Sequence, residues 1–484
     1  MISRFTEWAK AYGDIYTIKI ASSTAVVITS PRLVKEYLEK RSSSTSDRPA
    51  SLIAHTVTGG HNIALARYGP VWKSLRRTMQ MFLTKEACNR HAPIMRAEAT
   101  QLMYDCLKQP ERFLTHVERT TASVILSTTF GFRCPRYESS LISEFFESQR
   151  RWEAVLEPGA HPPVDLIPVL KYVPERWASW KTQCKDIRRR QQKLYLGLRD
   201  RCEERIKDKC RNGCFLEDVL DKQEKLGLTR EMVGYIGGAC MEGGSDNSSI
   251  YLHAFLCCII AYPEVQAKAQ KEIDEVIGSH RTPTMEDIDN LPYVQAIMKE
   301  LHRFRPVVPL SLPHASTADE MIDGYLVPEG SMIFMNVYGI SHDEEAFDKP
   351  EVFMPERFLQ SEFGTKPGAD NTARRNDFAF GAGRRVCPGI QLGTNTVTLN
   401  IMNLLWAFNW KPAKDPVTGK EIPVSADNFT HGLVTGPLPF KCEITPRSQA
   451  HIDLIRSEYV AARSVFHPFE QELSPEDEAF VATW

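Results

Sequence analysis

The chain has 484 residues, of which 42% are hydrophobic, so it is too apolar for a disordered protein and can bury a large core. Its 59 Lys and Arg residues nearly balance 61 Asp and Glu residues, and the net charge of -2 argues against a dedicated nucleic-acid binder. The 12 cysteines are scattered through a long chain, which favours reduced thiols over a disulfide framework. No apolar run reaches the roughly 18 residues that cross a membrane.

The N-terminal region is predicted to form a helix over residues 5–12 and a strand pair over 14–20 and 24–28. Beyond it the pattern is mainly helical and is interrupted by a proline-rich stretch at 158–174. From residue 446 the chain is polar and mixed in charge, which predicts a loosely held tail. The fold is therefore expected to be mainly α with a small β region, and a prior of about 150 residues per domain suggests three domains.

The longest predicted helix covers residues 229–261. Thr229 is a plausible N-cap, Pro263 stops the helix, and the length is on the order of 50 Å, enough to cross a whole domain. Interior glycines cost about 0.5–1 kcal/mol each relative to alanine, so their number needs a reason. Two readings stay open, namely tight helix packing and close approach of a ligand to the backbone. The glycines in question are Gly234, Gly237, Gly238, Gly243 and Gly244.

The strongest motif fits the pattern F-x-x-G-x-R-x-C-x-G, with Phe380, Gly383, Arg385, Cys387 and Gly389 at its fixed positions. A helix is predicted to begin just after the motif, and a helix N-terminus favours an adjacent thiolate. The glycines let backbone amides approach the sulfur, and the arginine can pair with a carboxylate. The pattern predicts a site for a haem with an axial thiolate and a propionate contact. The alternative is a buried structural cysteine on a glycine-rich turn.

This segment resembles the haem-binding signature of the cytochrome P-450 monooxygenases, and further segments match that family in order from residue 5 to 448. Trp72 and Arg76 are similar to its W-x-x-x-R motif, whose side chains reach a haem propionate. His314 resembles a basic residue that often touches a propionate, and a loop histidine with satisfied hydrogen bonds is the alternative.

Glu300 and Arg303 resemble the E-x-x-R helix of the family, and Arg357 resembles the arginine that locks to that pair. Residues three apart share a helical face, so Glu300 and Arg303 can pair. A surface ion pair of the same spacing, worth about 0–1 kcal/mol, is the alternative. The resemblance implies a structural triad that supports the fold and takes no part in the chemistry.

The stretch 242–248 resembles the oxygen-activation segment of the family's long central helix. Asp246 is retained, but Asn247 stands where the family usually has threonine, and Ser248 follows. In the family that hydroxyl helps deliver protons to dioxygen. An amide has donors and an acceptor, so Asn247 can still order water. The alternative is that Asn247 faces away from the site.

By this resemblance the chain is a haem-thiolate monooxygenase in which Cys387 is the axial ligand of haem b and favours O–O cleavage. The expected substrate is an apolar small molecule, because the motifs look most like those of fungal members of secondary metabolism. Electrons are expected from NADPH-cytochrome P-450 reductase. Two alternatives stay open. One is a haem-thiolate isomerase, dehydratase or peroxide-using enzyme that does not activate O2, and the other is a haem-binding sensor or inactive homologue.

The resemblance replaces three domains by a single P-450 domain over residues 1–448, with the long central helix over the haem and a polar C-terminal tail over 449–484. The loop 164–177 resembles the apolar segment that contacts the bilayer in membrane-bound members, and ordinary lid packing is the alternative. Such members lie in the endoplasmic reticulum membrane. The given N-terminus shows no signal-peptide core or anchor, so we expect an anchor that is trimmed, missed or lost.

A local excess of basic residues lies between positions 67 and 90, against the single acidic residue Glu86. Some of these charges are expected to serve the propionates, and the rest to form a face that docks an acidic flavin reductase. A solvated helix face is the alternative. The basic residues are Arg67, Lys73, Arg76, Arg77, Lys85 and Arg90.

Overall fold

The computed structural model describes residues 2–20, 23–157 and 159–483. Helices dominate it and three small sheets complete it, which confirms the predicted mainly α fold with a small β region. The α-helices are α1 (Ile2–Tyr12), α2 (Pro31–Leu33), α3 (Ser42–Thr45), α4 (Leu52–Thr58), α5 (Pro70–Phe82), α6 (Lys85–Arg90), α7 (Ala92–Lys108), α8 (Phe113–Phe130), α9 (Ser140–Leu156), α10 (Ser179–Lys207), α11 (Phe215–Asp221), α12 (Arg230–Met241), α13 (Asn247–Ala261), α14 (Pro263–Val276), α15 (Pro292–Phe304), α16 (Val337–Ser341), α17 (Arg357–Gln360), α18 (Ile390–Ala407), α19 (Gln449–Phe466) and α20 (Pro475–Thr483).

The main sheet has the strand order β1-β2-β6-β3. β1 and β2 pair antiparallel, as the predicted strand pair requires, and β2 pairs parallel to β6. Ala21 and Ser22 of the predicted turn lie outside the described residues. Two two-stranded sheets, β4-β5 and β7-β8, lie apart from it. The strands are β1 (Ile15–Ile20), β2 (Ser23–Ile28), β3 (His314–Ala315), β4 (Glu320–Ile322), β5 (Tyr325–Val327), β6 (Met332–Met335), β7 (Phe408–Pro412) and β8 (Cys442–Pro446).

The long central helix consists of α12, a π-helical turn over Glu242–Asp246 and α13. Thr229 caps it, because its hydroxyl accepts a hydrogen bond from the Met232 amide, and Pro263 begins the next helix. The chain bends by 105° there. Among the described residues no single helix is long and apolar enough to cross a membrane, although this bent pair passes the same criteria when taken together. A π turn is rare and often marks a functional site.

The glycines of the central helix divide between the two readings left open by the sequence. A Cβ at Gly237 would collide with Phe130 and one at Gly244 with Ile125, so these glycines allow tight helix packing. A Cβ at Gly243 would meet nothing within 4 Å. Gly243, which belongs to the π turn, therefore borders open space within the fold.

Two apolar clusters matter for the site. The large core joins α5 to α8 with the central helix, α15 and α18. A separate cluster, which we call the cap cluster, joins α4, the end of α9, the following loop and the start of α10. The cap cluster is an apolar cluster of its own, separate from the large core. Polar contacts therefore contribute to its attachment to the central helix.

The prediction of a loosely held tail after residue 446 is wrong. Helix α19 packs along α7, where Tyr459 stacks on Tyr104 with ring centroids 4.1 Å apart and Phe466 is buried. In α20 the carboxylate of Asp477 accepts hydrogen bonds from Arg136 Nε (2.6 Å) and Ser139 Oγ (2.9 Å). The segment is polar on average, but its few apolar side chains fall on one helical face, and that periodicity outweighs composition. The division of the chain at residue 448 stays a prediction.

Candidate active site

The loop that carries Cys387 is held by backbone bonds. The Cys387 amide donates to the Phe380 carbonyl (2.8 Å), and the Phe380 ring lies 5.1 Å from the ring of His302 on α15. Gly383 has φ +58°, and a Cβ there would collide with the carbonyl of Leu38, so this position needs glycine for two reasons. The loop is therefore a tight turn that places the cysteine just ahead of α18, held by its own backbone and by packing against Leu38.

Cys387 lies at the N-terminal end of α18, where its sulfur accepts a hydrogen bond from the Gly389 amide (3.3 Å). Burial raises the pKa of this thiol, while the Gly389 hydrogen bond and the charge of Arg76 lower it. The net shift is upward, so the free thiol is protonated at neutral pH, and a bound metal ion would displace that proton. The side chain is still partly accessible, which indicates that it borders an internal space.

Arg385 is buried and makes hydrogen bonds to backbone carbonyls: its guanidinium donates to Ser46 O (2.7 Å), Ala66 O (2.7 Å) and Ile63 O (3.2 Å). The guanidinium also lies 4.3 Å from the ring centroid of Trp72, whose indole N–H donates to Ile63 O (3.2 Å). Two predicted cofactor contacts, from segments more than 300 positions apart, are thus brought together.

Arg76 is the third predicted member of this group. Its Nη1 donates to the carbonyl of Val386 (2.6 Å), next to Cys387, and its Nε is buried without a hydrogen-bond partner among the described residues. Burial lowers the pKa of Arg76, while a thiolate at Cys387 would raise it. An unsatisfied buried guanidinium N–H costs about 1–3 kcal/mol, so this group favours a bound acceptor.

Arg48 completes the group, and the sequence interpretation missed it. Its guanidinium donates to Ala64 O (2.8 Å) and Leu312 O (2.7 Å). The neighbouring Asp47 suggests a local ion pair that would cancel the charge, but that carboxylate is bound by Arg67 and by the Tyr68 amide. Arg48 therefore could not be identified from a motif, because its place in the site depends on contacts between segments that are distant in the sequence.

His314 lies beside Arg48, and its Nδ1 bonds to Thr45 O (2.8 Å). Burial and the charges of Arg48 and Arg385 lower the pKa of His314 to about 3, so it is neutral. The basic residue expected from the family is thus present, but as a neutral ring.

These residues, which we call the cation cluster, are Arg48, Arg76, Arg385, Trp72 and His314. Burial and mutual repulsion lower the pKa of Arg48 to about 9 and that of Arg385 to about 10. The guanidinium bonds found here go to carbonyl oxygens, and the nearby carboxylate of Asp47 is already bound by Arg67. Buried cations without their own carboxylates suit an anionic ligand, so the cluster fits haem propionates.

The central helix passes close to this thiol. A thiolate at Cys387 helps burial to raise the pKa of Cys240, on α12, to about 12. Asn247, one turn beyond Gly243, makes no hydrogen bond through its side chain to any described residue, and Ser248 is buried. Asn247 is therefore free to bind water on the open side of the helix.

Asp246 faces the opposite way, toward α8 and α9. Its carboxyl hydrogen-bonds with that of Glu153, and Glu118 lies close by. Burial and these two carboxyl groups hold the pKa of Asp246 well above its usual range, with Arg150 opposing them. Asp246 therefore keeps its proton to a higher pH than an ordinary aspartate. Glu153 could not be identified from a motif, because it lies 93 positions away.

Glu300, Arg303 and Arg357 form a buried network on the other side of the cysteine loop. Arg303 binds Glu300 through two parallel hydrogen bonds of 2.8 Å and 2.7 Å, and Arg357 Nε lies 3.1 Å from the same carboxylate. All three side chains are buried, and the arginines also bind carbonyls such as Pro350 O. The structure brings these residues together away from Asn247.

A family model for Cytochrome P450 matches residues 1–443. A cytochrome P450 monooxygenase of Armillaria gallica is 49% identical over 470 residues, covering 97% of this chain and 89% of that protein. The cytochrome P450 monooxygenase yanC of Aspergillus niger is 39% identical over 477 residues, covering 95% and 88%. A zebra fish cytochrome P450 solved with abiraterone has a TM-score of 0.73 at 22% identity, covering 92% of this chain and all of that one, and supports the fold alone. The chain therefore belongs to the cytochrome P450 family of haem-thiolate oxidoreductases.

Proposed function

We propose that this protein is a monooxygenase that inserts one oxygen atom from O2 into an apolar small molecule of secondary metabolism. The observation that carries the proposal is a partly buried thiol beside three guanidinium groups whose hydrogen bonds, among the described residues, go to backbone carbonyls. Such a pair of features suits a ligand with a metal centre and carboxylates at its edge. The names of fungal relatives such as the Aspergillus niger protein support the monooxygenase assignment.

In this proposal Cys387 would bind the iron, and the cation cluster would hold the propionates. Phe380, Gly383 and Gly389 would shape the loop around the sulfur. Bound haem supplies the chemistry of O2 reduction and substrate oxidation. The Gly389 amide, through its 3.3 Å hydrogen bond, stabilises negative charge on the sulfur, and the N-terminal end of α18 adds to that effect.

The protein's own contribution to proton delivery would come from the π turn. Asp246, beside Glu153 on the far side of the turn, would supply protons to the water chain, and Asn247 would order the water on the side of Gly243. Ser248 is buried behind them and would support this geometry. Gly243 leaves the space that a ligand and water need.

We further propose that electrons come from an NADPH-dependent reductase that docks on a basic face. Lys73, Arg77 and Lys85 are exposed, whereas Arg76 is buried in the cation cluster and adds nothing to that face. Steered docking weakens with salt. Lys73→Glu should therefore slow reduction a few-fold at low ionic strength and have little effect at high ionic strength. Lys10→Glu on α1 is the charge-matched control, and a salt-insensitive rate would contradict the docking site.

Contact with the endoplasmic reticulum membrane is part of the same proposal. The loop 164–177 exposes Val169, Tyr172 and Trp177, each by more than two thirds of its surface. Aromatic side chains at a protein surface suit a membrane interface, where one end of the ring is apolar and the other is wet.

The proposed reaction is tested by supplying NADPH, a reductase and 18O2 to the holoprotein with substrates found by a spectral screen of apolar metabolites. One labelled oxygen per product, with matching NADPH consumption, is the expected result. Asn247 in place of threonine keeps one alternative open, a haem-thiolate isomerase or dehydratase. Turnover that needs no NADPH and places no labelled oxygen in the product would establish that alternative and reject the monooxygenase.

A further inference from the structure

One carboxylate at the start of the π turn receives hydrogen bonds from segments that are distant in sequence. Glu242 Oε1 accepts from the hydroxyl of Tyr195 on α10 (2.9 Å), and Oε2 accepts from Asn62 Nδ2 (2.7 Å). The indole of Trp152 on α9 lies close to the same carboxylate. Glu242 is thus the point where the cap helices, the central helix and the segment after α4 meet, directly beside Gly243.

Asn62 shapes the turn that follows it. Its carbonyl accepts from the amides of Leu65 (3.1 Å) and Ala66 (2.8 Å), and its Oδ1 accepts from the Ala64 amide (3.0 Å). The side chain is 3% exposed, so water does not compete for these bonds. We call residues 62–66 the carbonyl turn.

The carbonyl turn is what orients the cation cluster. Ile63 O accepts from Trp72 and Arg385, Ala64 O accepts from Arg48, and Ala66 O accepts from Arg385. Moving this turn would therefore move two guanidinium groups and one indole at once.

A second carboxylate offers a comparison. Glu231, on α12, accepts from Arg188 Nη2 (2.6 Å) and Gln192 Nε2 (3.1 Å), both on α10. It ties the cap helix to the central helix as Glu242 does, but it approaches the carbonyl turn only through His61, whose Nδ1 lies 3.7 Å from its Oε2. The two glutamates therefore differ in how directly they reach the cation cluster.

We propose that Glu242 is a positioning residue that couples the placement of the cap helices to the orientation of the cation cluster, through Asn62 and the carbonyl turn. The inference rests on the proposed role of that cluster in holding the haem propionates. A substrate that lifts or lowers the cap would change the hydrogen bonds of Glu242 and thereby the environment of the propionates. Glu242 itself takes no part in the oxidation.

The test uses three variants of the holoprotein, Glu242→Ala, Asn62→Ala and Glu231→Ala, and two readouts. Hydrogen exchange of α10 reports cap attachment, and the propionate bending bands in resonance Raman report the cation cluster. Glu242→Ala should raise exchange in α10 roughly tenfold, as expected for the loss of a buried hydrogen bond to a charged group, and should also shift the propionate bands. Asn62→Ala should shift the bands alone, and Glu231→Ala should raise exchange with a much smaller band shift, because it reaches the carbonyl turn only through the 3.7 Å contact with His61.

Unshifted propionate bands in Glu242→Ala, or an equal shift in Glu231→Ala, would overturn the coupling. If Glu242→Ala does not retain haem, Glu242→Gln, which keeps one acceptor, should give a smaller shift in the same direction, and no shift would again reject the inference. Failure of the proposed function is distinguishable, because wild-type protein would then lack the thiolate-type carbon monoxide spectrum altogether.

Discussion

Around Glu300 each buried charge has an opposite partner, whereas around Asp246 like charges meet. On the thiolate side one carboxylate meets two arginines, and the remaining guanidinium N–H groups bind carbonyls. On the oxygen side Asp246 and Glu242 lie near Glu153, and burial raises the pKa of Glu242 to about 7. Two buried regions of the same fold therefore differ in whether a proton can be gained and lost near neutral pH.

The difference teaches what each region is suited for. A fully bonded ion network resists change, because removing one partner leaves an uncompensated buried charge. Among the crowded carboxyl groups Asp246 keeps its proton to a higher pH than an ordinary aspartate, which is a property of groups that serve in proton transfer. We expect substitutions on the thiolate side to alter stability, and those on the oxygen side to alter how reducing equivalents are used.

The largest expected effect is on the thiolate side. Arg303→Ala should lower the free energy of unfolding by about 3–5 kcal/mol and leave little haem-bound protein, because Glu300 stays buried and unpaired. Denaturant unfolding and haem content measure this. Arg151→Ala removes a partner of the exposed Glu147, at 2.7 Å, and should change stability by less than about 1 kcal/mol. An Arg303→Ala protein that kept full haem and stability but turned over slowly would contradict the structural role.

A smaller effect is expected in the cation cluster, between the two sides. Arg48→Ala should speed haem loss about tenfold, because hydrogen bonds to charged groups contribute about 1.5–3 kcal/mol. Transfer of haem to an acceptor apoprotein measures the rate. Arg384→Ala, an exposed arginine on the cysteine loop, is the control and should change the rate little. Equal rates of haem loss in Arg48→Ala and wild type would show that Arg48 does not help to hold the haem.

The smallest effect in this comparison concerns Asn247, which should change coupling and not stability. Asn247→Ala should raise the fraction of NADPH lost as hydrogen peroxide severalfold, because the water that the amide orders would be lost. Asn247→Thr should keep coupling largely intact. Equal coupling in Asn247→Ala and wild type, with substantial oxygen consumption in both, would show that this position has no part in proton delivery.

The two sides also differ in how far the sequence could predict them. The cysteine loop and the Glu300–Arg303 pair depend on residues within ten positions of each other, so spacing alone indicates their geometry. Arg357 and Trp72 were found through the resemblance to the family. Arg48 was missed because Asp47 beside it masks the charge in the sequence, although that carboxylate binds Arg67 instead.

Contacts across long separations explain the remaining differences. Asn62 and Tyr195 carry no motif, and the 242–248 stretch does not indicate that Glu242 binds them, because these two hydrogen bonds depend on how three segments pack. The polarity of the segment after residue 446 predicts a loosely held tail, but the buried face of α19 packs on α7. The glycines of the central helix could not be separated by sequence, since close packing at Gly244 and open space at Gly243 depend on the neighbouring helices.

The central claim is that Cys387 is the protein ligand of the iron, and the reduced, carbon monoxide-bound spectrum tests it most directly. Wild-type holoprotein should show the red-shifted Soret band of thiolate ligation, Cys387→Ala should lose it, and Cys240→Ala, a second thiol near the site on the central helix, should keep it. A normal thiolate spectrum in Cys387→Ala would contradict the account.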